Sequence, residues 1–261
     1  MTKEPFMPIL HATERTLWFA EAGLGPVWRL DPDTGEFTRL PGGEVAESDA
    51  ARSFHSLAYW NPVTQRLGSF GGYGWFAVRN WRWEFDASIG AWLNVEKDQP
   101  GREPRCRSGG RFLPMGDGQR ILLFGGHGNL TGKKDARDPG VPLYDGRFHR
   151  LGNLWCLNLV TNKWSCLVPV PGLQLPQLWS ACYLPALQTV VVMQARASSV
   201  PFGTPADVFI HRLGKDRGFV RLSSRGDVPN GAGPGFVTAL PSGRSLLTFQ
   251  KAGVFELVLN L

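Results

Sequence analysis

The chain has 261 residues, 43% of them hydrophobic and 19% charged, a balance that supports a packed core and excludes long disordered stretches. Its 28 basic and 22 acidic residues leave a net charge of +6, which favours an acidic partner but is too diffuse to demonstrate one. No window approaches the roughly 18 to 20 consecutive apolar residues of a membrane span.

In chain order, Met1 to Leu10 carries Lys3, Glu4 and two prolines, with no signal-peptide pattern, so a cytoplasmic protein is expected. The 32 glycines, 20 prolines and 10 tryptophans that follow suit many short strands joined by tight turns. Trp28 to Leu40 (WRLDPDTGEFTRL) is the first telling segment: an aromatic, a polar turn, and a second aromatic nine positions on. The next stretch predicts four strands, Phe54 to Trp60, Arg66 to Phe70, Arg82 to Asp86 and Ala91 to Val95. They are separated by turn residues such as Asn61-Pro62 and Ser88-Ile89-Gly90. Within it, Leu67 to Gly74 (LGSFGGYG) sets the pair Gly71-Gly72 at a strand end, and Trp83 and Trp92 repeat the aromatic spacing.

Ile121 to Gly128 (ILLFGGHG) repeats the strand and glycine pair as Gly125-Gly126, and Trp155 to Leu167 repeats the aromatic pair as Trp155 and Trp164. A looser copy runs from Phe209 to Leu222, and a last one begins at Phe255. Laid on itself, the chain divides into five units of about 50 residues, near 6–52, 53–106, 107–177, 178–234 and 235–261, the third lengthened after Gly126. Strands such as Ile121-Leu-Leu-Phe are apolar at successive positions and need cover on both faces. Sheets arranged around an axis supply that cover from their neighbours, with the tryptophans between them.

These features resemble the kelch repeat family, whose units carry a hydrophobic strand ending in a double glycine and then a spaced aromatic pair. The resemblance spans the whole chain and is fullest in the second and third units. In the others the glycine pair is replaced by Ala20-Glu21, Gln194-Ala195 and Gln250-Lys251. It implies an all-β fold: one β-propeller domain of about five four-stranded antiparallel blades. The fifth unit has room for three strands. Residues Met1 to Phe6 pairing with it, a short last blade, or another segment or chain making it complete, even as a sixth blade, would each close the ring.

The residues do not assemble a catalytic pattern. The histidines at 11, 55, 127, 149 and 211 are dispersed, with no zinc-ligand spacing, and neither a G-x-S-x-G elbow nor a phosphate loop occurs. Carboxylates such as Glu84, Asp86, Glu96 and Asp98 alternate along strands or sit in turns, the pattern of solvated surface. The cysteines at 106, 156, 166 and 182 form no C-x-x-C pair and are expected as reduced, packed thiols. No metal or cofactor is expected.

Loops joining the second and third strands share a face with the connections between units. Tyr73 to Asn80 brings Tyr73, Trp75 and Arg79 there, residue types that anchor interfaces, although Trp75 or Phe76 tucked between sheets is the competing reading. His127 to Asn153, with Tyr144, Phe148, five basic and three acidic residues, reads either as a contact loop or as a tolerated surface insertion. Arg52, Arg105 and Arg107 sit at the starts of units, where the resemblance implies arginines facing the axial opening. An acidic segment is their natural ligand. The expected function is therefore a non-catalytic scaffold that binds a partner protein. The alternative is a small-ligand or carbohydrate-related enzyme or binding protein using the central opening.

Overall fold

The computed structural model describes residues 7–11, 16–20, 24–43, 55–74, 77–78, 80–95, 104, 106–128, 149–169, 172–175, 179–195, 206–222, 236–250 and 253–259. Among them the structure is all-β, built of antiparallel sheets that follow one another along the chain. The first sheet is the meander β1 (Met7–His11), β2 (Thr16–Ala20), β3 (Val27–Leu30) and β4 (Phe37–Arg39). The second takes β5 (Leu57–Asn61) and β6 (Arg66–Phe70), pauses for a small hairpin of β7 (Tyr73–Gly74) and β8 (Ala77–Val78), and resumes with β9 (Arg82–Asp86) and β10 (Ala91–Asn94).

The third repeats that plan. It has β11 (Arg111–Pro114) and β12 (Arg120–Phe124), a hairpin of β13 (His127–Gly128) and β14 (His149–Arg150), then β15 (Leu154–Asn158) and β16 (Lys163–Val168). The fourth is β17 (Trp179–Leu184), β18 (Thr189–Ala195), β19 (Ala206–Arg212) and β20 (Val220–Leu222). The fifth has three strands among the described residues, β21 (Phe236–Ala239), β22 (Ser245–Gln250) and β23 (Gly253–Val258). The first sheet begins with Met7, and Met1 to Phe6 lie outside the described residues, as does the closure expected of them.

The hairpin turns are encoded locally. Asp31 Oδ1 accepts the amides of Asp33 (2.8 Å) and Thr34 (3.2 Å), Asn61 Oδ1 those of Val63 and Thr64, and Asn158 Oδ1 those of Val160 and Thr161. Each carboxyl or amide oxygen thus replaces a backbone acceptor and starts the reversal. The fourth residue of each loop closes it in the left-handed region: Gly35, Gln65 at φ 56° and Asn162 at φ 58°. The β9–β10 loop ends likewise on Gly90. The second sheet starts at Leu57, later than the Phe54 expected, because His55 at φ 52° breaks the extended run.

The chain folds into two compact units. One comprises Met1–Phe112, Gly126–His149 and Leu157–Ser165, and the other Leu113–Gly125, Arg150–Cys156 and Cys166–Leu261. In the first unit, Trp18, Ala20 and Val27 of the first sheet pack on Leu67, Phe85 and Trp92 of the second. The opposite face of the second sheet packs through Tyr59 and Phe70 on Phe112, and through Phe70 on Trp164. In the second unit, β18 is buried on both sides. Val190 and Val192 join Leu122, Phe124 and Leu154, while Val191 and Met193 join Val237, Leu246 and Leu259. Cys182 and Tyr183 on β17 likewise enter different clusters, as neighbours on a strand must. Sheets adjacent in sequence therefore share cores within each unit.

Candidate functional site

The two glycine pairs fix where the loops leave the sheets. Gly71 and Gly72 have φ of 72° and 100°, and Gly125 and Gly126 have 73° and 106°. Space is as demanding as conformation. A Cβ on Gly125 would lie 2.6 Å from the Trp179 ring, and one on Gly126 would lie 2.9 Å from the Ser108 carbonyl oxygen. The Gly72 amide donates to the Arg107 carbonyl (2.8 Å), which ties the end of one sheet's second strand to the lead-in of the next sheet.

Directly after these pairs come β7–β8 and β13–β14, so both extra hairpins occupy the same point of the meander. At that edge Ser108 and His127 exchange backbone hydrogen bonds (2.8 and 2.7 Å), and the Gly109 amide donates to the His55 carbonyl (3.0 Å). Three histidines that look scattered in sequence, His55, His127 and His149, thus belong to neighbouring segments of one edge. No group of three or more His, Cys, Asp or Glu side chains among the described residues could hold a metal ion.

The expected contact residues fare unequally. Tyr73 and His127 are half-buried at this edge. Arg52, Trp75, Arg79, Arg105, Tyr144 and Phe148 lie outside the described residues, as does 129–148 of the insertion. Arg107 corrects an expectation: its side chain is fully buried, so it presents no cation to an incoming ligand. The aromatic anchors are packed or partly packed. Trp92 lies against Phe85 and donates its indole N–H to the Gly25 carbonyl (3.1 Å), and Trp164 lies against Phe70 and Phe112. Trp83 packs on the core of the first unit, while Trp28 and Trp155 are half-buried. Among the cysteines, which are all free, Cys106 and Cys182 are buried, Cys156 is intermediate and Cys166 is exposed. Burial pushes the Cys182 thiol up to about 12.

Glu84 corrects the surface assignment of the carboxylates, being only 2% exposed. In the register of the second sheet, Tyr59, Gly68 and Glu84 form one cross-strand row. Gly68 has no side chain, so the Tyr59 ring lies across it, where a Cβ would be 2.1 Å away. The Tyr59 hydroxyl then donates to Glu84 Oε1 (2.9 Å), Asn61 Nδ2 to the same oxygen (2.8 Å) and the Thr64 hydroxyl to Oε2 (2.9 Å). Arg82, 1% exposed, places Nη1 3.8 Å from Glu84 and 3.4 Å from the Tyr59 oxygen. Desolvation drives the Tyr59 hydroxyl well above its ordinary range, so it stays a proton donor. Tyr59, Asn61, Arg82 and Glu84 are all buried, Thr64 closes the network from the exposed β5–β6 turn, and together they order the second sheet. Sequence reading missed it because the decisive residue is a glycine in a strand, a signal of close approach.

No family model matches the chain, and no curated protein matches it either.

Proposed function

We propose that the sheets are blades of one kelch-like β-propeller, and that the chain is a non-catalytic scaffold holding a partner protein on the edge of β7–β8 and β13–β14. The observation that carries this reading is the position of the two hairpins. Each follows a glycine pair pinned against a neighbouring segment, so a rigid base supports both loops. The sharing of cores by consecutive sheets supports the radial arrangement. An acidic stretch of the partner would suit Arg79, which follows the β7–β8 hairpin in sequence, and Arg52 and Arg105, which precede the second and third sheets. The free cysteines support a reducing, cytoplasmic setting.

The test is affinity capture from the native source with the parent chain, with Trp75→Ala, with Arg105→Ala and with residues 131–148 deleted. A specific partner is expected to be lost from all three variants while their thermal unfolding matches the parent. Undiminished capture by all three would remove this edge as the docking face.

A further inference from the structure

At the opposite ends of the strands of the second unit, the hairpin turns of the third, fourth and fifth sheets form one surface. The turn 185–188 is its centre. A Cβ on Gly116 of the β11–β12 turn would touch Pro185 at 3.7 Å, and one on Gly243 of the β21–β22 turn would meet the Ala186 amide nitrogen at 2.9 Å. The Leu213 amide, in the β19–β20 turn, donates to the Gln188 carbonyl (2.9 Å).

The charges of this surface are lopsided. Arg120, Arg212, Lys215, Arg217 and Arg244 stand against Asp117 and Asp216. Both carboxylates are already engaged. Asp117 accepts the amides of Gln119 and Arg120 and the Arg120 Nε (2.7 Å), while Asp216 accepts the Arg212 amide and its Nη2 (both 2.8 Å). The Arg212 guanidinium holds the Asp216 carboxyl down at about 2, so it remains an anion and does not become a donor. Lys215, Arg217 and Arg244 are exposed, and no ion pair joins them to a carboxylate among the described residues. This excess does not simply mirror the chain's overall charge. The β3–β4, β5–β6, β9–β10 and β15–β16 turns of the first unit, with the strand ends beside them, carry Asp31, Asp33, Glu36 and Asp86 against Arg66 and Lys163.

We propose that this turn surface, centred on Lys215, Arg217 and Arg244, docks an acidic polypeptide segment. The charge count fits a short run of carboxylates, which guanidinium groups grip through paired hydrogen bonds. Duplex nucleic acid is fitted less well, since its binders commonly neutralise about 6–10 phosphates. Single strands are gripped by exposed aromatic rings. The aromatic of these turns, Phe219, is instead packed on Phe124 (5.2 Å) and His211 (5.5 Å). The surface shares no residue with the edge proposed above, and it depends neither on that reading nor on ring closure.

The experiment measures fluorescence anisotropy of a labelled octapeptide alternating Glu and Ser, with the full chain, against a Lys-Ser peptide of equal length. Binding of the acidic peptide alone is expected, weakening as salt rises from about 50 to about 300 mM. Lys215→Glu, Arg217→Glu and Arg244→Glu combined should weaken it by at least about tenfold, with thermal unfolding unchanged. Arg29→Glu, an exposed change in the first unit, should leave it intact. Three outcomes would each overturn the proposal. The triple variant could bind the acidic peptide as the parent does. A DNA duplex could bind more tightly than the peptide at equal salt and be lost in the triple variant. Sedimentation could show parent self-association that the triple variant abolishes, with no peptide binding.

Discussion

Gly68 is the single residue on which the interior of the second sheet turns. Its missing side chain lets Tyr59 lie across β6 and reach Glu84, and that bond, with those from Asn61 and Thr64, satisfies a carboxylate removed from water. Gly68→Ala is therefore expected to cost about 3 kcal/mol, because the ring must move and a buried acceptor loses its donor. Urea denaturation measures this, and a change below about 1 kcal/mol would show that Tyr59 relocates freely. Tyr59→Phe keeps the ring in place and should cost less, about 1 to 2 kcal/mol. The period-2 pattern of β9 put Glu84 on a defined face, and that face was wrongly read as wet. The answer depends on which residues of β5 and β6 stand opposite, and register is not written in any one strand. Arg107 was misjudged for the same reason: its burial comes from neighbours distant in sequence.

The elements themselves were far more legible, because their causes are local. Strand β6 runs over Arg66–Phe70 and β9 over Arg82–Asp86, as alternation and turn residues predicted, and the aromatic spacing reflects two strands joined by a four-residue loop. What one segment cannot reveal is how loops lash neighbouring sheets. In the first unit the Gly43 amide donates to the Gly90 carbonyl (3.0 Å), and Asn162 Nδ2 donates to the Val95 carbonyl (2.7 Å). Asn162 thus does two jobs, tolerating φ 58° and tying down a strand end. Asn162→Ala should lose both, at about 2 kcal/mol, whereas Asn162→Gly keeps the conformational tolerance and should lose about 1 kcal/mol. Equal losses in the two variants, read from thermal or urea midpoints, would mean that only the lash matters.

At the scale of the molecule, stability is shared between successive sheets, since no sheet hides its apolar residues unaided. The fourth sheet shows this most clearly, with Cys182, Leu184, Val191 and Met193 covered by Val237, Leu246 and Leu259. A chain ending before Phe236 is expected to bind a hydrophobic dye and to melt over a broader, lower range than the parent. A sharp, unshifted transition would show that the fifth sheet adds nothing to the fold of the fourth. The succession of short antiparallel sheets was readable because strand alternation and turn residues are local signals. The burial of Arg107 was less readable, since it depends on segments far away in sequence and not on its own strand.

The Asx-started, left-handed-ended loops have a consequence for how such a chain can grow. Each reversal is specified within a handful of consecutive residues, so a copied gene segment brings its own corners with it. The direct backbone approach of Gly42 to Gly90 is different, because it requires two bare positions in separate segments to be inherited together. Duplication can thus multiply sheets readily, while the seams between copies remain the sites where drift is least forgiven.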